Sequence, residues 1–136
     1  MFQKGYLVLA SIMIMSFCLT GCMRQANLQN PTNLPVVSYS GKGLTEAQVR
    51  QAILLGAQEK GWIARELTPG VISATLTVRQ HMAEVEIPYS ANSYSILYKN
   101  SQNLDYNAKD RTIHNQYNNW VDYLRQAVNV QMTKMK

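Results

Sequence analysis

The chain has 136 residues with 13 basic and 8 acidic side chains, which gives a formal net charge of +5 at pH 7. The basic residues are scattered rather than clustered, so the composition lacks the basic stripe of a nucleic-acid-binding protein and argues against such a partner. Behind an N-terminal leader, the length suffices for one domain with one hydrophobic core.

Residues 1–21 have the layout of a secretory signal peptide. Lys4 precedes an apolar run over residues 7–18, and small residues follow it. This run falls within the roughly 7–15 residues of signal peptides and is shorter than the roughly 20 that a transmembrane helix needs. The next four residues, Leu-Thr-Gly-Cys at positions 19–22, resemble the lipobox of bacterial lipoproteins. A plain cleaved signal and a retained membrane anchor are the alternatives.

The lipobox resemblance implies a particular processing of the leader. In that family the chain is cut between the residues corresponding to Gly21 and Cys22, and the cysteine receives a diacylglycerol and an amide-linked acyl chain. Several acyl chains anchor stably, because each buried methylene contributes about 0.8 kcal/mol. Met23 replaces the aspartate that typically retains such proteins at the inner membrane, which implies the periplasmic face of the outer membrane. Since Cys18 leaves with the leader, we expect neither a free thiol nor a disulfide.

Residues 22–40 are rich in Asn, Gln and Pro and show little apolar periodicity. Such a composition buries too little surface to offset the entropy lost on ordering. We therefore expect a flexible tether with a reach of at most roughly 60 Å. The alternative is that Val36, Val37 and Tyr39 dock as a short edge strand. The globular domain is predicted over residues 41–136.

The domain is predicted to begin with a helix. Thr45 and Gln48 match a capping box, while Lys60 suits the last turn and Gly61 the residue after it. Between these ends, one helical face carries small and apolar residues: Val49, Ala52, Ile53, Gly56 and Ala57.

Four strand-like runs follow, separated by turn signals, at residues 62–67, 71–79, 81–87 and 94–99. The second and third alternate between apolar and polar residues, which is typical of strands with one buried face. Because their connections are short, an antiparallel meander is the simplest arrangement.

A last helix is predicted to begin near Asp110 or Thr112, both good capping residues. Its apolar stripe runs from Ile113 to Val128. The predicted fold is therefore α+β, with a helix, a four-stranded antiparallel meander and a C-terminal helix. Both helices are expected on one face of the sheet.

The domain also resembles a group of small, uncharacterised proteobacterial lipoproteins over residues 45–130. The residues that carry this resemblance are Gly61-Trp62, Pro69-Gly70-Val71-Ile72, Tyr98, Ser101, Asn103, Leu104, Tyr106, Ile113-His114, Tyr117-Asn118, Trp120-Val121 and Leu124. The resemblance implies an α+β fold and an envelope location, and it implies no activity.

His114 is the strongest single candidate for catalysis. Asp110, four residues earlier, would share a helix face with it and orient the imidazole as a base, with Ser101 completing a triad. The alternative is a helix-start cap with a surface ion pair. Because His81 and His114 are the only histidines and lie far apart in the sequence, we expect no metal site and no cofactor.

Tyrosines cluster in the second half of the chain, where they form either a filled core or a binding groove between the last helix and the sheet. The candidate groove residues are Tyr98, Asn103, Tyr106, His114, Tyr117 and Asn118. Sites for peptides or glycans combine apolar walls with a few polar groups in this way. We therefore expect a non-enzymatic binding or accessory module of the envelope, with an envelope protein, a peptide or a glycan as its partner. A hydrolase using His114 and a structural subunit of an envelope complex are the alternatives.

Overall fold

The computed structural model describes residues 24–136. The predicted signal peptide at 1–21, together with Gly21 and Cys22, lies outside these residues and stays a prediction. The described chain has the predicted α+β fold. Its elements in order are β1 (Gln25–Asn27), β2 (Leu34–Pro35), α1 (Glu46–Glu59), β3 (Ile63–Thr68), β4 (Val71–Val78), β5 (His81–Pro88), β6 (Ser93–Tyr94), β7 (Leu97–Gln102), β8 (Thr112–His114) and α2 (Asn115–Lys134).

The predicted four-stranded antiparallel sheet is present, with the spatial order β3-β4-β5-β7. Its inner face is built from buried cross-strand pairs: Ile72–Ile87, Ala74–Val85 and Leu76–Ala83. The period-two pattern that predicted β4 and β5 is therefore confirmed. The residues between these pairs, such as Glu84 and Glu86, face the other side of the sheet.

Helix α1 has the N-terminal capping box that the sequence predicted. The Thr45 hydroxyl accepts a hydrogen bond from the Gln48 backbone N–H at 3.2 Å, and the Gln48 side-chain oxygen accepts one from the Thr45 backbone N–H at 2.9 Å. At the other end Lys60 is the C-cap, and Gly61 follows with a φ of +80°. That left-handed conformation explains why a glycine ends the helix.

The two helices approach each other most closely at Gly56. A Cβ atom built on Gly56 would lie 2.7 Å from the Val128 backbone nitrogen and 2.8 Å from its Cα atom. The absence of a side chain therefore allows the backbones of α1 and α2 to touch. Buried residues from both helices join the inner face of the sheet in one core, so both helices lie on that face, as predicted.

Helix α2 begins at Asn115, later than the predicted start near Asp110 or Thr112. Residues 112–114 instead form β8, which pairs with β1. The predicted start was too early because of Ile113. This residue lies in a strand, but it is buried and its spacing continues the apolar stripe of the following helix.

The fourth predicted run is also shifted along the chain. The predicted strand at 94–99 is split, since Tyr94 belongs to β6 and the sheet strand β7 begins at Leu97. The backbone between them leaves the regular strand ladder: the Ser95 N–H donates to the carbonyl of Pro88, the last residue of β5, and the Ile96 N–H donates to the Pro31 carbonyl.

Residues 25–36 lie along the domain and are hydrogen-bonded to it; we call this segment the N-terminal strap. Strand β1 pairs with β8, and β2 pairs with β6. Leu28, Leu34 and Val36 pack against the core. This part of the chain therefore differs from the tether predicted for residues 22–40, and the folded domain extends well before residue 41. The edge-strand alternative named Val36, Val37 and Tyr39. Val36 does dock on the domain, but Val37 and Tyr39 are exposed and the strand itself is Leu34–Pro35.

Candidate functional site

Three of the six predicted groove residues form an aromatic cluster. The Tyr98 ring lies 4.3 Å from the Tyr106 ring, centroid to centroid, and meets the Tyr117 ring edge-on at 5.6 Å. Tyr117 is fully buried, whereas Tyr106 is 39% exposed. The rings therefore pack on one another, with Tyr106 at the surface and Tyr117 in the core.

The Tyr117 hydroxyl is buried and has no hydrogen-bond partner among the residues that the structure describes. Burial raises the pKa of this phenol, because the anion would lose its hydration. The Tyr98 hydroxyl instead bonds the Ser101 hydroxyl at 2.8 Å. Ser101, proposed from the sequence as the third member of a triad, is thus engaged with a tyrosine.

His114 is the N-cap of helix α2 and directly precedes its first turn. Its Nδ1 atom accepts a hydrogen bond from the Gln116 backbone N–H at 3.1 Å. Asp110 does not share a helix with it, and one of its carboxylate oxygens accepts a hydrogen bond from the Asn107 amide at 3.1 Å. The predicted helical Asp–His pair is therefore not formed. His114 is used as a cap, the non-catalytic alternative for this residue.

Asn103 and Asn118 use their side chains to hold backbone segments. The side-chain amide of Asn103 donates to the Gln80 carbonyl at 2.6 Å, and the backbone carbonyl oxygen of Asn103 lies 2.7 Å from Nδ1 of His81. Asn118 donates to the Asn27 carbonyl at 2.9 Å and accepts from the Gln29 N–H at 3.1 Å. Asn118, predicted to line a groove, is buried beneath the N-terminal strap. Both side-chain amides, which were predicted to contact a ligand, therefore bind backbone groups of the fold instead.

Sequence analysis missed a cluster at the end of the sheet near Gly70. Glu66 accepts hydrogen bonds from the Arg50 guanidinium and the Tyr89 hydroxyl, both at 3.0 Å. The hydrogen bond from the Arg50 guanidinium is the main reason why the pKa of Glu66 lies below its usual value. Burial is the main cause that raises the pKa of Tyr89, and the hydrogen bond to Glu66 raises it further. These three residues lie far apart in the sequence, so no local pattern predicts that they meet. Arg50 and Glu66 form an ordinary surface ion pair.

A cavity lies at the C-terminal end of α2. It has a volume of about 540 Å³ and is lined by Tyr39, Ser40, Lys42 and residues 133–136. Nearby, the Gln48 side chain donates to the Lys136 carbonyl at 2.6 Å. The cavity is open to solvent, and its lysines are exposed and have no buried polar residue beside them in the lining. Its geometry gives no catalytic arrangement.

The outer face of the four-stranded sheet is the remaining candidate surface. Both helices pack on the inner face, so the outer face is left uncovered by them. Cross-strand register places Ile63, Thr75, Glu84 and Asn100 in one row across it. Ile63 is 81% exposed, and a salt bridge of 2.9 Å joins Lys99 and Glu86. This face therefore combines paired charges with an exposed apolar residue at the β3 edge.

Within residues 24–136, no three His, Cys, Asp or Glu side chains gather in a way that would hold a metal ion. Neither helix in this part of the chain is long and apolar enough to cross a membrane. Comparisons with protein-family models, with curated proteins and with solved structures gave no match to the chain.

Proposed function

We propose that this protein is a lipoprotein anchored through Cys22 at the periplasmic face of the outer membrane. Its domain serves there as a non-enzymatic binding module for an envelope partner. The anchoring part of the proposal rests on the signal-peptide layout and on the lipobox-like sequence that ends in Gly21 and Cys22.

The uncovered outer face of the sheet is the observation that supports the binding role. Strand β3 forms one edge of the sheet, so its outer backbone groups pair with no other strand of the described chain. Five of its six residues are exposed, and Ile63 is the most exposed large apolar residue of the strand. A long exposed edge with apolar side chains favours pairing with another chain.

The partner chemistry that fits this edge is an extended segment of another envelope protein. Such a segment adds a strand through main-chain hydrogen bonds and places alternate side chains against the sheet. The β3 register shifts between Glu66 and Thr68. Regular pairing is therefore expected over residues 63–66, with Ile63 and Arg65 supplying the side-chain contacts on the outer face.

The contacts of His114 support a binding module over a hydrolase. A general base needs a free nitrogen directed at the proton it removes. The Nδ1 atom of His114 instead accepts the Gln116 N–H. The neutral ring then carries its proton on Nε2, so neither ring nitrogen is free to act as the base. The prediction is that His114→Ala weakens the start of α2 without removing a turnover activity.

The anchor is tested by Cys22→Ser in the full chain, with Cys18→Ser as the matched control. We expect Cys22→Ser to leave the outer-membrane fraction, because the acylated thiol is lost. Cys18→Ser changes only the leader's apolar run and should fractionate normally. A Cys22→Ser product that still reached membranes through attached lipid would contradict the anchor.

The binding surface is tested with a photo-crosslinking residue placed at Ile63 in intact cells and, as a control, at Tyr123, which is 51% exposed on α2. We expect one discrete adduct from position 63 and none from position 123. The purified partner should bind the wild-type domain and lose at least tenfold in affinity for Ile63→Asp. Equal adducts from both positions, or unchanged affinity, would contradict this surface.

A further inference from the structure

The structure fixes the place where the predicted anchor enters the domain. Arg24 is held there, since its carbonyl accepts a hydrogen bond from the Asn115 N–H at 2.6 Å. The next residue, Gln25, is already part of β1. Cys22 lies two residues before Arg24, so the Cα atoms of these residues are at most about 7–8 Å apart. A lipid on Cys22 therefore attaches close to a rigid part of the fold.

Several loops meet at this end of the molecule. The Gln25 side chain donates to the Asp105 carbonyl at 3.4 Å, and the His114 N–H donates to the Leu104 carbonyl at 2.7 Å. The Asn103 amide reaches the Gln80 carbonyl, in the turn between β4 and β5. We call this region the anchor end, and it comprises Arg24, the 79–80 turn, the 103–106 loop and the start of α2.

The opposite end of the sheet carries the turns around Gly70 and Asn92. The Tyr89 N–H donates to the Gly70 carbonyl at 2.9 Å, and the strap reaches this end where the Val36 N–H donates to the Asn92 carbonyl at 3.0 Å. Strand β4 has eight residues between the two ends. At about 3.3 Å per residue, the ends are separated by about 26 Å.

We infer that the anchor end rests on the lipid headgroups and that the strands of the sheet point away from the bilayer, an inference that depends on the proposed lipidation of Cys22. The strap is hydrogen-bonded along its length and the bonds begin at Arg24, so Cys22 lies only two residues before a fixed part of the fold. Exposed Arg24 and Arg79 suit phosphate groups. Tyr106, 39% exposed, suits the interfacial layer. Asp105 is the carboxylate at this end.

This orientation also bears on the binding face. With the strands directed away from the bilayer, the β3 edge runs outward from the membrane and stays open to a partner along its length. The far end, with the Asn92 turn, stands about 26 Å beyond the anchor end.

The test uses the full chain, expressed and purified as the lipidated protein and reconstituted in vesicles of phosphatidylethanolamine and phosphatidylglycerol. Gln80→Cys and Asn92→Cys place a single thiol-reactive fluorophore at either end. Both are exposed turn residues whose interactions in the structure come from the backbone. Lipids spin-labelled at the headgroup quench fluorophores only at short range. We expect quenching several-fold stronger at position 80 than at position 92.

A flexible Gly-Ser insertion of about ten residues between Met23 and Arg24 supplies the control, because it adds a reach of about 17 Å. It should make the two quenching signals nearly equal while the protein stays on the vesicles. Equal quenching without the insertion, or stronger quenching at position 92, would overturn the orientation. Mass spectrometry separates the two proposals: an unmodified Cys22 would overturn the anchor and this inference together, whereas an acylated chain with equal quenching overturns the orientation alone.

Discussion

Replacing Gly56 with alanine tests the close contact between the helices. Judged by helix propensity alone, Gly56→Ala should stabilise α1 by about 1 kcal/mol. The added Cβ would, however, lie 2.7 Å from the Val128 nitrogen, closer than real Cβ contacts come. The contacted atoms include the backbone of α2, which has no rotamer to change. The helices must therefore separate, and overpacking of this kind costs about 1–3 kcal/mol.

The backbone contact places the cost in the upper part of that range. After the gain in propensity is subtracted, we expect a net loss of about 1–2 kcal/mol in the free energy of unfolding. For a domain of this size, that corresponds to a fall in Tm of about 5–15 °C. Replacing Val128 with alanine should not rescue the variant, because the backbone nitrogen and Cα atom remain in place.

Urea unfolding of the purified protein, followed by far-ultraviolet circular dichroism, measures the change. The slope of free energy against urea should be unchanged, so that a shift in midpoint reports stability alone. Gly43→Ala is the matched control, since nothing lies within 4 Å of its added Cβ, and it should be neutral or slightly stabilising. A Gly56→Ala protein as stable as the wild type, or more stable, would refute the contact.

Three further predictions follow from other contacts. Asn118→Ala leaves the Asn27 carbonyl and the Gln29 N–H without partners and should cost about 1–3 kcal/mol, with faster amide exchange in β1; exposed Asn119→Ala should leave both unchanged. The pKa of Glu66 is lower in the folded protein than its ordinary value of 4.5, so this group stabilises the fold fully above pH 4.5, and the stabilisation is lost as the pH falls through the pKa of the folded protein. In a plot of the urea midpoint against pH, Glu66→Gln should therefore show a shallower fall on the acid side. Burial raises the pKa of Tyr94 from 10 to about 12, so about 2–3 kcal/mol should be lost as the pH rises from 10 to 12, and the same titration of Tyr94→Phe should show a shallower loss.

The parts of the fold that sequence predicted are those set by local chemistry. The capping box at Thr45 and Gln48 involves residues three apart, and the inner face of β4 and β5 follows from alternation within each strand. The strap was not predictable in this way. Gln25 pairs with His114, far along the chain, and no local pattern reports such a pairing.

The polar composition of the strap was also misleading. The Asn and Gln content of this segment predicts disorder, yet the Asn30 side chain accepts a hydrogen bond from the Tyr98 N–H at 2.8 Å and the Asn118 side chain accepts one from the Gln29 backbone N–H. Side-chain amides of this kind satisfy buried backbone groups, which composition alone does not reveal. For the same reason, Asn103 and Asn118 were predicted as ligand contacts although they hold backbone segments.

The N-terminal strap also sets the order in which this chain reaches its final form. Strand β1 emerges early in synthesis, but its partner strand β8 and the Asn118 side chain lie in the last quarter of the chain. Loop-closure entropy opposes such distant pairings until the intervening segments are folded. The residues of the strap are therefore synthesised first but are among the last to find their partners, and β1 stays unpaired until β8 and Asn118 are in place.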